Sequence, residues 1–265
     1  MAYFPPNLDS PHLDYGLFLL SQLLADHGKT LNDYGLPTPS HDWHRSEPNP
    51  LLAAEYNYNP VEQTELANRI IRRFNPDQTT CFETIILAID NDPASAHFFI
   101  QGPAGTGKTF LYRGLCYYYR GKGQIVLCVA SSGIAALLLP GGTTAHSRFK
   151  IPLDISEQST CGVSKSSHLA DLFRKTALII WDEVPMQHKH CFEAVHHMLT
   201  DIRDNDSLFG DIPTVFGGDF AQILPVIPRG TRPVIIEATL QKSFLWKKFQ
   251  ILYLQQNMRI CNSDQ

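Results

Sequence analysis

A glycine-rich run that ends in lysine and threonine has the residue types and the spacing that bind phosphate groups. The pattern is G-x-x-x-x-G-K-[ST], and its residues are Gly102, Pro103, Ala104, Gly105, Thr106, Gly107, Lys108 and Thr109. Glycines let backbone N–H groups curl around phosphates, the lysine reaches the β- and γ-phosphates, and the threonine hydroxyl ligates Mg²⁺. The run therefore predicts a nucleotide site that takes ATP as substrate and Mg²⁺ as cofactor.

Two adjacent carboxylates follow an apolar run further along the chain. Asp182 and Glu183 come directly after residues 177–181, which have the composition of a buried strand. Alone, an Asp-Glu pair at a strand end is more often a helix cap or part of a solvated loop. After a phosphate loop, the first carboxylate typically holds Mg²⁺ through water and the second positions the attacking water. We therefore assign Asp182 to the metal and Glu183 to the water.

Two polar residues near later apolar runs are weaker candidates. Gln222 lies in a glycine turn after residues 214–216, where its amide can contact the γ-phosphate or merely cap the turn. Arg259 follows the last apolar run, where a lone arginine is usually a surface residue. The local pattern leaves the functional and the structural interpretation open for both residues.

The elements that must position these residues alternate between short apolar runs and helical patterns. Buried strands are predicted over residues 97–101, 125–130, 177–181, 214–216 and 251–254. Helices are predicted over residues 61–74, 82–89 and 110–120. This alternation is typical of an α/β fold in which helices flank a mostly parallel sheet. The phosphate loop and the acidic pair each follow a strand, and ligands of such sheets bind at the carboxyl ends of the strands.

Composition restricts the function less than the motifs do. The formal net charge is −4, from 22 basic and 26 acidic residues, so a nucleic-acid partner must be argued from local chemistry. The longest apolar runs, of about six residues, are too short to span a bilayer, and we expect no membrane partner. We also expect no structural zinc, because paired metal-ligand spacing is missing among the six cysteines and from the group His188, His190, Cys191, His196 and His197.

The pattern divides the chain into three predicted segments. Residues 1–60 are rich in proline and form a partly irregular leader, with one amphipathic helix predicted from the leucines between residues 13 and 24. Residues 61–250 form the P-loop NTPase domain. Residues 251–265 form the third segment.

Taken in order, the motifs resemble those of the Pif (petite integration frequency) family of superfamily-one DNA helicases. More narrowly, the chain is similar to the helicase halves related to Helitron transposons. The segments that carry the resemblance are residues 74–78, 102–109, 130–149, 181–186, 217–225 and 257–259. The resemblance implies that residues 61–250 are the first RecA-like motor domain of an ATP-dependent DNA helicase. It also implies that residues 251–265 begin a second, truncated motor domain.

The resemblance also implies roles for individual residues around the nucleotide. It assigns Gln78 to the adenine edge and Gln222 to the sensing of the γ-phosphate. It places Lys108 and Glu183 among the catalytic residues, together with Gln222. Arg259 matches an arginine that reaches the γ-phosphate in the manner of an arginine finger.

Residues 131–149 match the family segment that lies beside single-stranded DNA. Hydroxyls can hold phosphates and an aromatic ring can stack on a base, so the predicted DNA contacts are Ser131, Ser132, Thr144, His146 and Phe149. The alternative is that Phe149 belongs to the core and that His146 is a structural histidine. Residues 141–144 read Gly-Gly-Thr-Thr where many relatives have Gly-Gly-Arg-Thr, which removes a cation that contacts phosphate or tethers the loop.

The expected function is therefore ATP-driven translocation on single-stranded DNA and unwinding at duplex junctions, in recombination, repair, telomere maintenance or transposition. The expected location is the nucleus, with the mitochondrion as the alternative. Two other functions stay open. The chain can be a nucleotide-binding remnant that acts as a DNA or protein interaction module, or a P-loop ATPase switch without helicase activity.

Overall fold

The computed structural model describes residues 11–25, 29–40 and 49–258. Contacts divide the chain into two units, Met1–Ala53 and Ala54–Gln265. In the first unit, the predicted amphipathic helix is α1, Pro11–Ala25. Within this unit the carboxylate of Asp14 accepts hydrogen bonds from the backbone N–H and the hydroxyl of Ser40, at 2.6 and 2.8 Å. Helix α2, Pro50–Tyr56, runs across the division between the units.

The second unit is built on a parallel sheet, which confirms the predicted α/β fold. The described residues contribute six strands in the order β3-β2-β4-β5-β1-β6, and every pairing is parallel. The strands are β1 His97–Gln101, β2 Ile125–Ala130, β3 Thr143–Thr144, β4 Thr176–Asp182, β5 Thr214–Gly218 and β6 Gln250–Tyr253. The five predicted strands are all present. Strand β3 was not predicted, because a two-residue strand has no hydrophobic periodicity.

Helices cover the sheet, and several of them begin at caps that the sequence supplies. The helices of this unit are α3 Pro60–Ile71, α4 Pro76–Asn91, α5 Lys108–Gly121, α6 Gly133–Leu137, α7 Ala145–Phe149, α8 His168–Lys175, α9 Lys189–Arg203 and α10 Arg232–Glu237. Asn59 and Asn75 cap α3 and α4, each followed by a proline in the first turn, where the missing N–H costs nothing. Among the described residues, none of the helices has the length and apolar character needed to cross a membrane.

The two faces of the sheet have different cores. On one face, α4 and α5 pack on alternate strand residues, such as Leu178 and Ile180 of β4. On the other face, aromatic rings dominate: Trp181 contacts Phe192 of α9 and Phe216 of β5, at centroid distances of 4.7 and 5.3 Å. A parallel sheet covered on both faces is rigid, so the carboxyl ends of its strands form a fixed platform.

The strand order brings the predicted motifs together. Strands β4, β5 and β1 are neighbours, and the acidic pair, the glycine turn and the phosphate loop follow their carboxyl ends. Residues 251–253, which the prediction assigned to a second domain, belong to β6 and pair with β1. They are therefore part of this sheet, because their apolar side chains complete its edge.

Candidate active site

The phosphate loop connects β1 to α5 in a conformation that its glycines require. Gly105 and Gly107 have left-handed backbones, with φ of 85° and 83°. A Cβ atom on Gly107 would overlap the Nε2 atom of Gln78, and one on Gly102 would lie 2.6 Å from the Thr106 hydroxyl oxygen. The positive φ angle and the crowding together make glycine the only residue that fits at Gly107.

Lys108 is the first residue of α5 and lies over the loop. Its ammonium group donates hydrogen bonds to the carbonyl oxygens of Gly102 and Pro103, the second at 3.3 Å. Thr109 follows it in the first helical turn. The N-terminal N–H groups of a helix and a lysine together make a strong anion site, so this geometry suits a polyphosphate.

Gln78 lies in the first turn of helix α4 and is buried against the phosphate loop. Its Oε1 accepts the backbone N–H of Asn75 at 3.1 Å, and its Nε2 donates to the carbonyl oxygen of Thr106 at 3.2 Å. The Asn75 side chain accepts the Gln78 N–H in return, at 2.8 Å, which completes a capping box. Gln78 thus ties the start of α4 to the phosphate loop, and its contact with adenine stays a prediction.

The acidic pair lies at the end of β4. The Asp182 carboxyl is only 3% exposed, and its Oδ1 accepts the Glu183 N–H at 2.9 Å. Burial, with the nearby charge of Glu183, raises the pKa of Asp182 to about 6, against the opposing effect of Lys108. A buried carboxylate in this condition is stabilised by a cation. Glu183 has a left-handed backbone, with φ 54° and ψ 38°, a strained conformation that is typical of functional sites.

The glycine turn after β5 contains a residue that the sequence analysis did not assign. The Asp219 carboxylate accepts hydrogen bonds from Gln222 Nε2 at 2.7 Å, from Gln101 Nε2 at 2.9 Å and from the Ala221 N–H at 3.0 Å. Burial acts to raise the pKa of Asp219, but these hydrogen bonds and Lys108 hold it below its usual value. Asp219 therefore fixes the Gln222 amide at the same edge as Lys108. The Gly-Gly-Asp sequence before Gln222 was the available indication.

In the predicted DNA segment, the hydroxyl groups of Ser132 and Thr144 serve the local structure. Ser132 caps α6 by accepting the Ala135 N–H at 3.3 Å, and Thr144 caps α7 by accepting the Ser147 N–H at 3.2 Å. The Ser131 N–H donates to the carbonyl oxygen of Asp182 at 3.1 Å. The segment is therefore attached to the end of β4, and its contacts with DNA stay predictions.

Phe149 does not take the position that a base-stacking residue needs. Its side chain is fully buried and packs on Trp181 and Phe173, with ring centroids 5.3 and 5.5 Å apart. The predicted stacking on a base is wrong in this structure, because neighbouring rings enclose the phenyl ring. The alternative interpretation, a core residue, is correct.

Residues 141–144 keep a cationic tether, although the arginine of many relatives is replaced. Arg120, at the end of α5, donates to the carbonyl oxygen of Pro140 at 3.2 Å. Its guanidinium group lies 3.8 Å from the ring centroid of Tyr58 and 3.4 Å from the Glu55 carboxylate. The turn is therefore held from the helix that follows the phosphate loop. Sequence reasoning missed this contact because its partners are far apart in the chain.

Arg259 lies outside the described residues. The residue before it, Met258, donates its backbone N–H to the carbonyl oxygen of Gly105 at 2.9 Å. The chain therefore returns to the phosphate loop just before Arg259.

The histidine group near the acidic pair contains a side-chain contact between His190 Nδ1 and Glu193 Oε2, at 2.6 Å. No set of three or more His, Cys, Asp or Glu side chains is arranged for a metal ion within the described ranges.

Comparisons with known proteins agree with this geometry. The ATP-dependent DNA helicase Pif1 of Psychrobacter is 33% identical over 174 residues, which cover 65% of this chain and 26% of that protein. The protein of the same name from Campylobacter jejuni is 30% identical over 189 residues, which cover 68% of this chain and 39% of that protein. The chain thus spans less than half the length of these relatives.

Solved structures give the same result. The Pif1 helicase from Candida albicans has a TM-score of 0.59 and 26% identity, over 70% of this chain and 40% of that one. The Bacteroides Pif1 helicase in complex with ADP-AlF3 and ssDNA has a TM-score of 0.58 and 26% identity, over 70% and 42%. The sequence model of the PIF1-like helicase family matches residues 73–265, which is well over half of the chain. This protein therefore belongs to the PIF1-like helicase family.

Proposed function

We propose that this chain binds ATP with Mg²⁺ and hydrolyses it as the first motor domain of an ATP-dependent DNA helicase. One observation carries the proposal: Lys108, Asp182 and Gln222 lie at or just after the carboxyl ends of three neighbouring strands, β1, β4 and β5. These are the cation, the metal-binding carboxylate and the γ-phosphate contact that hydrolysis requires. The family membership of the chain supports the same activity.

The residues at this edge fit a magnesium ion. Mg²⁺ prefers oxygen ligands and keeps several waters, so it needs few protein groups. Asp182 supplies a buried carboxylate, of which Oδ1 is occupied by the Glu183 N–H. Thr109 supplies a hydroxyl in the first turn of α5. When bound, the ion would neutralise charge on the β- and γ-phosphates.

Lys108, Glu183 and Gln222 each have a separate role in the proposed hydrolysis. The Lys108 ammonium stabilises the charge that moves to the bridging oxygen as the γ-phosphate leaves. Glu183 orients the attacking water, and Gln222 contacts the γ-phosphate in the position that Asp219 fixes. Catalysis of this kind depends on positioning, so the rigidity of the strand ends matters more than any one side chain.

We also propose single-stranded DNA and duplex junctions as partners. Relatives in the family were solved with ssDNA and at forked dsDNA. In this chain, the segment at residues 131–149 begins with a hydrogen bond from the Ser131 N–H to the carbonyl oxygen of Asp182, the first residue of the acidic pair. Unwinding needs two motor domains that open and close around ATP, so we propose that activity for the whole helicase. Recombination, repair, telomere maintenance and transposition are the processes we propose for it, in the nucleus.

The test compares ATP binding and turnover by this chain with and without an oligo(dT) strand. Lys108→Ala should lower nucleotide affinity or turnover by about 10²-fold, because a transition-state cation is lost. The matched control is Lys122→Ala, just beyond the other end of α5, where the ammonium contacts exposed Asp90 at 3.7 Å. Equal loss in both variants would contradict the assignment of Lys108.

The same experiment separates the alternatives. Nucleotide binding without turnover, with or without the DNA strand, would support the nucleotide-binding remnant, and ATP turnover that ignores DNA would support a switch.

A further inference from the structure

A side-chain hydrogen bond joins the turn after the acidic pair to the candidate DNA segment. Gln187 lies four residues after Glu183, is 6% exposed, and its Nε2 lies 3.0 Å from His146 Nδ1. The backbone between them is one short turn, in which the Met186 N–H donates to the carbonyl oxygen of Glu183 at 3.2 Å. A movement of the Gln187 side chain can therefore be transmitted to Glu183 through one turn of backbone.

The chemistry of this contact fixes the form of the histidine. As the Gln187 carboxamide is placed, its Nε2 donates and Nδ1 of His146 accepts, which corresponds to a neutral imidazole with its hydrogen on Nε2. Burial lowers the pKa of His146, which agrees with the neutral form. The Nε2–H group is a donor of the kind that a DNA phosphate accepts. A phosphate bound there would polarise the ring and strengthen the bond from Gln187 to Nδ1.

Only the nitrogen of the Gln187 carboxamide takes part in the contact with His146. Its Oε1 atom is buried without a hydrogen-bond partner in the structure. The carboxamide is therefore held at His146 by its nitrogen alone.

Two other contacts attach the segment to β4 rigidly. The Ser131 N–H donates to the Asp182 carbonyl oxygen, and Phe149 stacks on Trp181 with an interplanar angle of 26°. Because backbone and packed rings hold these points, the rotatable carboxamide of Gln187 is the contact that can respond to a ligand at His146.

We propose that Gln187 is a positioning residue that couples single-stranded DNA binding at residues 131–149 to the placement of Glu183. This inference rests on the function proposed above and deepens it. A strand bound at His146 orders the carboxamide and the turn that follows Glu183. By reciprocity, nucleotide that orders Glu183 raises the affinity for DNA by the same factor.

The test measures this factor directly. The dissociation constant of a fluorescent, non-hydrolysable ATP analogue with Mg²⁺ is measured with and without saturating oligo(dT), and that of oligo(dT) with and without the analogue. Wild type should show a ratio of about fivefold or more in both directions. Gln187→Met, which keeps the volume and removes the hydrogen bond, should bring both ratios to about one. It should leave each ligand's own affinity within about twofold of wild type.

Gln63→Met is the matched control, because Gln63 on α3 is also 6% exposed and also has an unpartnered Oε1. It should keep the wild-type ratio. Gln187→Asn is the second variant, since its carboxamide is too short to reach His146, and it should behave like Gln187→Met. Thermal unfolding of each variant shows whether it is folded, and if Gln187→Met is not, Gln187→Asn decides.

The outcomes separate this inference from the proposed function. Wild-type coupling that persists in the Gln187 variants overturns the inference and leaves the function standing. So does a wild type that binds both ligands with a ratio of one. A wild type that binds neither ATP analogue nor DNA overturns the proposed function, and the inference falls with it.

Discussion

The phosphate-loop edge is the part of the sheet where β1, β4 and β5 end, with the residues that follow them. It lies beside the segment at residues 131–149, but the two regions differ in whether their polar residues are stabilised by neighbouring protein groups. At the edge, Asp182 is buried with a pKa raised to about 6, and Glu183 has a strained backbone. In the segment, Ser132 and Thr144 satisfy helix N-termini. Asp182 and Glu183 are thus held in conditions that a bound ligand would relieve, whereas Ser132 and Thr144 stabilise the fold itself.

This difference predicts which measurement each substitution changes. Removing a destabilised group at the edge should cost activity and leave stability unchanged or higher, as is common for functional sites. Removing a satisfied group in the segment should cost stability first. The experiments below test this division, from the largest expected effect to the smallest.

Phe149→Ala should lower the free energy of unfolding by about 3–5 kcal/mol, because a fully buried phenylalanine is removed from between two rings. Urea denaturation measures the effect. The control is Leu153→Ala, since Leu153 is 90% exposed in the following loop and should change stability little. Unchanged stability together with weaker DNA binding would restore the base-stacking interpretation of Phe149.

Asp182→Asn should abolish Mg²⁺-dependent turnover and yet stabilise the nucleotide-free protein at pH 7. Burial raises the pKa of Asp182 from 3.8 to about 6, so ionisation costs the wild type stability as the pH rises from about 4 to about 6. Two pKa units correspond to about 3 kcal/mol, which the uncharged asparagine avoids.

Urea denaturation at pH 7 and pH 4 tests the sign. The gain from Asp182→Asn should be present at pH 7 and absent at pH 4, where Asp182 is protonated in the folded protein. The control is Asp201→Asn on α9, whose carboxylate is exposed and pairs with Lys165 at 2.8 Å. A variant less stable than wild type at pH 7 would contradict the claim that Asp182 is held at a cost.

The same division explains how much the sequence could predict. The phosphate loop and the acidic pair were found because ligand geometry dictates their residue types and the strands before them. The roles of Asp219 and Gln187 were missed because they depend on partners that the fold supplies, Gln101 and His146. Phe149 was misassigned because an aromatic residue in a DNA segment and one in a core have the same local pattern.

The end of helix α3 shows the same limit of prediction from local sequence. Helix α3 ends at Ile71, three residues before the predicted end, although the apolar pattern continues to Phe74. Phe74 instead packs on Phe82 and Phe110, at 5.5 and 5.7 Å between ring centroids. Periodicity shows which residues are buried, and tertiary contacts decide which of them are helical.

Asp219→Ala should lower turnover by about tenfold, because Gln222 loses the acceptor that fixes its amide. Steady-state kinetics measure the effect, which should fall on kcat with the KM for ATP little changed. If Asp219 acts through Gln222, then Asp219→Ala combined with Gln222→Ala should be no slower than Gln222→Ala alone. Asp206→Ala, at an exposed aspartate, is the control. Additive losses would show that Asp219 acts by a separate route.

Substitution of Ser132 should give the smallest effect, and it separates a helix-capping role of the hydroxyl from a DNA-binding role. Ser132→Ala should cost about 1 kcal/mol of stability, because alanine cannot cap α6, whereas Ser132→Gly should cost only a few tenths, since glycine is tolerated at this position. Both variants remove the hydroxyl, so a direct phosphate contact would weaken oligo(dT) binding equally in both. If only the alanine variant is affected, and only in its unfolding free energy, the hydroxyl serves the helix. Because the Ser131 N–H already donates to the Asp182 carbonyl oxygen, that result would leave His146 as the strongest candidate in this segment for a direct contact with DNA.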